Sequence, residues 1–312
     1  MCAKNEVYVT MITPFKDGKV DYNAVRGLVR WYWKKGCDGI FASCMSSEIF
    51  NLSFEERVGL VREVVAENKR LSEIDTSRKP MKIVASGHVS SDFEEQVKEL
   101  CAVVAERPDA LILISNRLDV DNTNDDKWIE DMERLISRLP SDIDLGVYEC
   151  PVPYKRLLTE KMVRWCASNK RFKFIKDTCC DVSIMKERVK WCENSELKIY
   201  NANTLTMLES AECGVYGYCG IMANFHPDLY SVMLSDKISY NDKCALQGIL
   251  TAMAALVERS EYPSSAKYYM AKHEGIKMET FSKVLNSCDV SPYNQKCLDQ
   301  MACIASNVAK SI

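Results

Sequence analysis

The sequence predicts an α/β protein, a (β/α)8 TIM barrel followed by a C-terminal helical extension. Eight short and mostly apolar runs, each bounded by polar residues or glycine, recur as buried parallel strands do. Amphipathic helical patterns lie between them, and eight β-then-α units over about 220 residues suit a closed barrel. A doubly wound open sheet is the alternative, but its G-x-G-x-x-G fingerprint after the first strand is absent.

The predicted strands lie at 7–12, 39–42, 82–85, 110–114, 145–148, 172–175, 197–200 and 215–218. The predicted barrel helices lie at 21–35, from a capping box at 53–56 onward, 92–106, 126–137, 159–168, 183–192 and 204–213. Beyond residue 225 only helical patterns follow, at 226–235, 240–259, 264–273 and from 291. We therefore predict a barrel at 1–225 and packed C-terminal helices at 226–312.

Composition excludes several classes of function. The 41 Lys and Arg nearly balance 44 Asp and Glu, which argues against a nucleic-acid partner. No apolar run reaches the roughly 18 residues of a membrane span, and no signal core follows the first charged residue, so we expect a cytoplasmic protein without a membrane partner. Fifteen cysteines without a C-x-x-C pair are expected to be mostly buried thiols, and with three histidines they predict no metal site.

Lys176 is the first candidate catalytic residue, because active sites of such barrels lie at the C-terminal ends of the strands. Strand periodicity places Phe172, Phe174 and Lys176 on one face. Burial among phenylalanines disfavours the ammonium form, and a neutral amine can attack a carbonyl to form a Schiff base. The alternative is a solvated lysine at the barrel rim that pairs with Asp177.

Two further features lie at neighbouring strand ends. Tyr148 ends the strand before Lys176, where its phenol could relay protons, although a core tyrosine with one hydrogen bond is the alternative. Segment 43–48 follows the second strand, and its hydroxyl and backbone N–H groups suit a carboxylate. An ordinary loop, in which Ser46 or Ser47 only turns the chain, is the alternative.

Several short motifs occur in a fixed order across about residues 7–280. They are Thr13-Pro14-Phe15 with Asp17-Gly18 and Asp21, Gly36-Cys37-Asp38-Gly39-Ile40, Ser46-Ser47-Glu48, Leu52-Ser53 with Glu55-Glu56-Arg57, Tyr148-Glu149-Cys150-Pro151, Ile175-Lys176-Asp177-Thr178, Asn224 with Pro227, and Lys267 with Gly275. These motifs resemble the dihydrodipicolinate synthase / N-acetylneuraminate lyase family of Schiff-base aldolases. The spacing of 28 residues between Tyr148 and Lys176 also fits that family.

The resemblance implies a role for each matching residue. Lys176 would form an imine with pyruvate or another 2-oxo acid, and Tyr148 would relay the proton. The Ser46 hydroxyl and the Ser47 backbone N–H would hold the carboxylate of the oxo acid, with Thr13 and Glu48 as supporting residues. No metal or organic cofactor is needed, because the covalent imine supplies the electron sink.

Departures from the family pattern bear on the reaction. Met45 replaces a threonine that relays a proton, and Cys44 and Ser47 replace two glycines of the same turn. The segment after the fourth strand lacks the tyrosine of the synthase branch, and Pro153 stands where that branch has an arginine for its acidic second substrate. These departures argue against 4-hydroxy-tetrahydrodipicolinate synthase.

We therefore predict a lyase or aldolase that acts on a sugar acid, with a 2-oxo acid and an aldehyde as its small-molecule partners. Asn201 and Asn203 could bind sugar hydroxyls or could only turn and cap the chain. Arg117 could bind an anionic group or be a solvated surface residue, and Glu149 could contact substrate or Arg117. The synthase, a dehydratase and a non-catalytic 2-oxo-acid-binding protein are the alternatives, and a homotetramer is expected by analogy.

Overall fold

The computed structural model describes residues 5–257 and 261–312, and in it eight parallel strands close into a barrel. Each strand pairs with its neighbours along the chain, and the first strand pairs with the last. The strands are β1 (Glu6–Thr10), β2 (Gly39–Phe41), β3 (Lys82–Ala85), β4 (Ala110–Ile114), β5 (Asp144–Tyr148), β6 (Phe172–Asp177), β7 (Lys198–Asn201) and β8 (Gly217–Gly220). The predicted barrel is confirmed, and the open sheet is excluded.

Eleven α-helices are present in the described residues. They are α1 (Tyr22–Lys34), α2 (Phe54–Ile74), α3 (Phe93–Ala105), α4 (Asp125–Ile136), α5 (Glu160–Ser168), α6 (Val182–Trp191), α7 (Met207–Glu212), α8 (Pro227–Met233), α9 (Tyr240–Val257), α10 (Ser264–His273) and α11 (Pro292–Ser311). The last residues of the predicted helix 240–259 lie partly outside the described residues. Helix α8 packs on β1, and α9 to α11 form the C-terminal extension; its boundary at residue 225 stays a prediction.

Side-chain caps fix where the barrel helices begin. A carboxylate, amide or hydroxyl just before the first turn accepts backbone N–H groups that have no partner inside the helix. Ser53 and Glu56 form the reciprocal capping box that the sequence predicts for α2. The other capping residues are Asp21, Asp92, Asn124, Thr159 and Asp181.

A short hairpin that the sequence analysis did not predict follows β1. Residues Phe15–Lys16 pair with Lys19–Val20 around a two-residue turn. Asp17 and Gly18 both have positive φ, at 52° and 73°, which suits the tight turns of hairpins. Phe15 is buried, and it lies beneath the Lys267 ammonium, 4.5 Å from its ring centre.

The barrel interior is a packed core and not a pore. An aromatic layer fills its lower part, where Phe174 and Tyr200 stack at 4.2 Å and Tyr8 contacts both edge to face. A second apolar layer lies between the strands and the surrounding helices. Six of the fourteen described cysteines are buried, so the expectation of mostly buried thiols is wrong for the others.

In the part of the chain that the structure describes, no helix combines the length and the apolar character needed to cross a bilayer.

His226 gives the first testable prediction. Its ring stacks on Tyr230 at 5.7 Å, and both ring nitrogens are buried without a hydrogen-bond partner in the described residues. Burial lowers the pKa of His226 to about 4, against the opposing effect of Asp228. The unfolded chain therefore binds the extra proton first as the pH falls below about 6.5, so His226 should lower the free energy of unfolding by up to about 3 kcal/mol near pH 4.

We expect His226→Phe to reduce the decrease in the free energy of unfolding at low pH while keeping the ring contact with Tyr230. Urea unfolding of both proteins at about pH 7 and pH 4.5 measures the difference. Burial also lowers the pKa of His88 to about 4. The decrease in the free energy of unfolding that His88 causes at low pH should therefore persist in the variant. Equal pH slopes in the two proteins would contradict the prediction.

Candidate active site

Lys176 lies near the end of β6 inside the barrel, with only 4% of its surface exposed. Its ammonium nitrogen lies 4.3 Å from the centre of the Tyr148 ring and 5.4 Å from that of Phe41. Among the described residues no carboxylate lies within 4 Å of this nitrogen, and no hydrogen bond to it is found. The alternative of a solvated rim lysine is therefore excluded.

Asp177, which the rim alternative pairs with Lys176, points away from it into a buried cluster. Its carboxylate binds the guanidinium of Arg188, which also donates to Glu149 at 2.6 Å. Glu149 further accepts the backbone N–H groups of Leu158 at 2.7 Å and Thr178 at 2.9 Å. Residues Tyr148 and Lys176 thus face the barrel interior, while the residue after each one is held outside by the same arginine.

Glu149 contacts neither Arg117 nor an open substrate space, so neither contact expected from the sequence is formed. Burial raises the pKa of Glu149, and the nearby Asp177 carboxylate adds to this effect, while Arg188 opposes it. Burial works against the charge of Arg188, but the two carboxylates raise its pKa overall. The sequence analysis missed Arg188. Its signal was an arginine three residues after the buried Met185, on the buried face of α6.

Tyr148 ends β5 and packs on Phe41 at 5.6 Å. Burial raises the pKa of Tyr148 well above its ordinary value, and the thiol of Cys150 is the next contributor. Cys150 and the thiols of Cys44 and Cys219 belong to the same packed cluster as the Tyr148 ring. The phenol is therefore neutral at physiological pH. The sequence analysis did not predict this thiol lining.

The loop after β2 contains the residues expected to bind a carboxylate. The Ser46 hydroxyl donates to Thr10 at 3.1 Å, whereas the Ser47 hydroxyl donates to the Met11 carbonyl at 2.7 Å. Thr13 supports the loop by donating to the Ser47 carbonyl at 2.8 Å. The Ser47 backbone N–H donates to the Cys44 carbonyl at 3.0 Å, so the loop itself already uses it.

Glu48 anchors that loop to the C-terminal extension. Its fully buried carboxylate accepts from the Lys267 ammonium at 2.6 Å, from Ser282 at 3.0 Å and from the Val284 N–H at 3.0 Å. Lys267 also donates to the Phe281 carbonyl at 2.6 Å. These contacts make Glu48 a supporting residue of the loop, since little of its carboxylate is left for a substrate.

Asn201 and Asn203 shape the turn after β7. The Asn201 amide donates to Thr206 at 3.0 Å and Ser210 at 2.9 Å, and its oxygen accepts the Asn203 N–H at 2.7 Å. The Asn203 oxygen accepts the Thr206 N–H at 3.1 Å. This geometry favours the turn-forming alternative over contacts to sugar hydroxyls.

Arg117 follows β4, and its guanidinium lies over the Phe50 ring at 5.1 Å. The residue is half-buried, and burial lowers the pKa of Arg117. Phe50 packs against the cluster that contains Tyr148. Arg117 is therefore close to the candidate site and partly withdrawn from solvent.

Within residues 5–257 and 261–312 no three His, Cys, Asp or Glu side chains are grouped so that they could hold a metal ion. Lys176, Tyr148, Ser46 and Arg117 all lie at the C-terminal ends of barrel strands or in the loops that follow them.

Comparison with known proteins agrees with the barrel fold. A model of the dihydrodipicolinate synthetase family matches residues 3–71. A 4-hydroxy-tetrahydrodipicolinate synthase of Hydrogenobaculum sp. is 22% identical over 70% of this chain and 70% of its own length. A second such synthase, of Clostridium acetobutylicum, is 24% identical over 85% of this chain and 88% of its own.

Solved structures share the whole fold at low identity. The 4-hydroxy-tetrahydrodipicolinate synthase of Methylacidiphilum fumariolicum covers 98% of this chain and 97% of its own, with a TM-score of 0.81 and 18% identity. The CdNal protein of Clostridium difficile, solved with mannosamine, covers 96% and 99%, with a TM-score of 0.81 and 15% identity. These findings show that the chain is similar to the dihydrodipicolinate synthetase family in sequence over residues 3–71, and that it shares the barrel fold of the solved structures over nearly its whole length. Members of that family are lyases and aldolases.

Proposed function

We propose that this protein is an imine-forming lyase or aldolase, which makes or cleaves a carbon–carbon bond next to the ketone of pyruvate or a related 2-oxo acid. The observation that carries the proposal is the buried amine of Lys176, which has no acidic partner among the described residues and lies 4.3 Å from the Tyr148 ring centre. An amine that no carboxylate holds is available for attack on a carbonyl.

In this proposal the Lys176 nitrogen adds to the ketone carbon, and the resulting carbinolamine loses water to give the imine. The protonated imine then accepts the electron pair of the bond that breaks, and an aldehyde leaves. The neutral phenol of Tyr148 supplies and recovers the protons of these steps. The covalent imine is the electron sink, so we propose that no metal or organic cofactor takes part.

The carboxylate of the oxo acid would bind at the loop after β2. We favour Ser46 as the donor, because within the described residues its hydroxyl contacts only side chains, those of Thr10 at 3.1 Å and Tyr262. The hydroxyl and the N–H of Ser47, in contrast, both donate to backbone carbonyls. Thr13 and Glu48 would hold this loop in place.

The candidate reactions differ in the second reactant. The curated relatives are named as synthases, but Pro153 and Met45 stand where the synthase pattern has its arginine and its relay threonine. A sugar-acid substrate loses support from Asn201 and Asn203, whose amides form the turn. A dehydratase reaction and 2-oxo-acid binding without turnover are compatible with the same lysine. Assembly as a homotetramer and a cytoplasmic location stay predictions, and light scattering of the purified protein tests the first.

Borohydride reduction in the presence of pyruvate tests the proposal. We expect one reduced pyruvate per chain in the intact mass, with peptide mapping placing it on Lys176. The buried Lys267 serves as an internal control, since its amine is held by Glu48 at 2.6 Å. No adduct on folded protein with pyruvate or with other 2-oxo acids would refute the imine mechanism.

Tyr148→Phe gives a second prediction. Removal of the phenol oxygen should leave the apolar packing on Phe41 and the imine carbon–nitrogen bond possible, because Lys176 is unchanged. Turnover should fall by about 10²- to 10⁴-fold, the usual contribution of a positioned proton donor. The measurement compares kcat with the yield of the borohydride adduct at long incubation. An unchanged kcat would remove Tyr148 from the proposed mechanism.

A further inference from the structure

We propose that Arg117 forms an anion-binding subsite at the mouth of the barrel, and that the aldehyde half of the substrate carries a carboxylate or a phosphate. This inference rests on the proposed function, because an aldehyde is a reactant of this protein only if Lys176 forms the imine. It names the class of the second reactant, which the motifs leave open.

The charge of Arg117 is not balanced within the described chain. The buried arginines each contact a carboxylate: Arg57 binds Glu99, Arg156 binds Asp119, and Arg188 binds Glu149 and Asp177. Arg117 has no ion pair among the residues that the structure describes, and its Nε atom is buried without a hydrogen-bond partner there. Because Arg117 is only half-buried, the cost lies mainly at its Nε–H, a buried donor without an acceptor that a ligand could satisfy.

The nearest candidate counter-ion is already engaged. Glu99 acts electrostatically on Arg117, but its carboxylate binds Arg57 and accepts the N–H groups of Val89 at 2.9 Å and Ser90 at 3.3 Å. Three of the roughly four acceptor positions of Glu99 are therefore used, and no ion pair joins it to Arg117 within the described residues.

The backbone that carries Arg117 is rigidly held. The Gln96 amide donates to the Arg117 carbonyl at 3.1 Å, and the preceding Asn116 amide donates to the Cys150 carbonyl at 2.8 Å. Ser115 accepts the Trp128 indole N–H on its carbonyl at 2.9 Å. The guanidinium is thus presented from a fixed loop, as a preorganised binding group should be.

The position of Arg117 also suits a reactant that meets the imine. Ile114, three residues before it, pairs with Tyr148 across β4 and β5. The Phe50 ring beneath the guanidinium packs on the inner cluster that contains Tyr148 and Cys150. An aldehyde that reacts at Lys176 could therefore extend its distal group to Arg117, whose planar fork matches carboxylate and phosphate oxygens.

The test compares aldehydes that differ only in charge, with pyruvate as the donor. One pair is glyceraldehyde 3-phosphate and glyceraldehyde, and the other is succinic semialdehyde and butanal. We expect the wild type to prefer the anionic member of at least one pair. Arg117→Gln should lower kcat/KM for that member by roughly 10- to 100-fold and leave the neutral member almost unchanged. Arg117→Lys should keep part of the preference, since the charge stays and the fork is lost.

Arg134→Gln is the matched control. Arg134 also stacks on a phenylalanine, Phe93, at 3.7 Å, but it is exposed on α4. Melting temperatures show whether each variant is folded. A preference confined to the phosphate pair or to the carboxylate pair identifies the anion. Equal loss for charged and neutral aldehydes in Arg117→Gln, or no preference in the wild type, overturns the proposal.

The outcome is distinguishable from failure of the proposed function. If pyruvate forms no borohydride adduct or no aldehyde is turned over, calorimetric titration with inorganic phosphate and with succinate tests whether Arg117 binds anions. Binding to the wild type and to Arg134→Gln that disappears in Arg117→Gln upholds the anion subsite. Absent binding, or binding that Arg117→Gln retains, overturns it.

Discussion

Lys176→Met should abolish turnover and borohydride trapping while the protein stays folded. Methionine fills a similar volume among Tyr148 and Phe41, and it removes an amine that has no partner in the described chain. Without the nucleophile no imine forms, so kcat should fall on the order of 10⁴-fold or more. The free energy of unfolding should stay the same or rise slightly, because a buried polar group without a partner is replaced by an apolar one.

Lys173→Met is the matched control, because Lys173 lies on the same strand at the opposite, N-terminal end of the barrel, where it pairs with Glu196. Its loss should leave both the adduct and kcat within about twofold, as expected for a surface pair. Lys176→Arg is a second variant, since a long polar side chain is retained but the guanidinium forms no imine. Residual pyruvate labelling in Lys176→Met would show that another amine is the nucleophile.

The sequence predicts the barrel well because its buried parallel strands are continuous apolar runs with sharp ends. One strand end is misplaced beside the candidate site, because the pattern ends β6 at residue 175 whereas the strand extends to Asp177. Lys176 and Asp177 look like loop residues in a hydropathy pattern, yet they remain in the ladder opposite Tyr200 and Asn201. The Asp177 carboxylate can be buried at the end of β6 because the Arg188 guanidinium pairs with it.

Contacts between distant segments of the chain could not be predicted from local pattern. Glu48 pairs with Lys267 across 219 residues, and no periodicity connects the loop after β2 with α10. The thiols around Tyr148 come from three different strand ends, and each of them alone looks like a small buried residue. The motifs locate the candidate residues in chain order. The partners of the Ser46 and Ser47 hydroxyls depend on tertiary hydrogen bonds, which the motifs do not show.

Arg188→Met should give the largest loss of stability. It leaves the Glu149 and Asp177 carboxylates buried beside each other without their guanidinium, and breaking a buried ion pair from one side costs about 3–5 kcal/mol. Urea unfolding at pH 7 measures the loss. Arg164→Met, which breaks an exposed pair with Glu160 on α5, should cost less than about 1 kcal/mol and serves as the control.

The pH dependence of that loss separates an electrostatic cause from a packing defect. Burial and Asp177 already raise the pKa of Glu149, and loss of Arg188 removes the group that opposes them. A carboxyl group whose folded pKa is raised destabilises the protein at high pH, and this penalty disappears as the pH falls through the folded pKa towards the unfolded one. The stability deficit of Arg188→Met should therefore shrink between about pH 7 and pH 5.

Neutralising both carboxylates provides the rescue. Glu149→Gln and Asp177→Asn in the Arg188→Met background should recover most of the lost stability at pH 7, because no unpaired charge remains. If the cluster also positions the strand ends, the rescued protein should still have a lower kcat, since Tyr148 and Lys176 directly precede the two former carboxylates. Full recovery of stability together with an unchanged kcat would limit the cluster to a structural role. A stability deficit of Arg188→Met that does not change with pH would attribute the loss to packing.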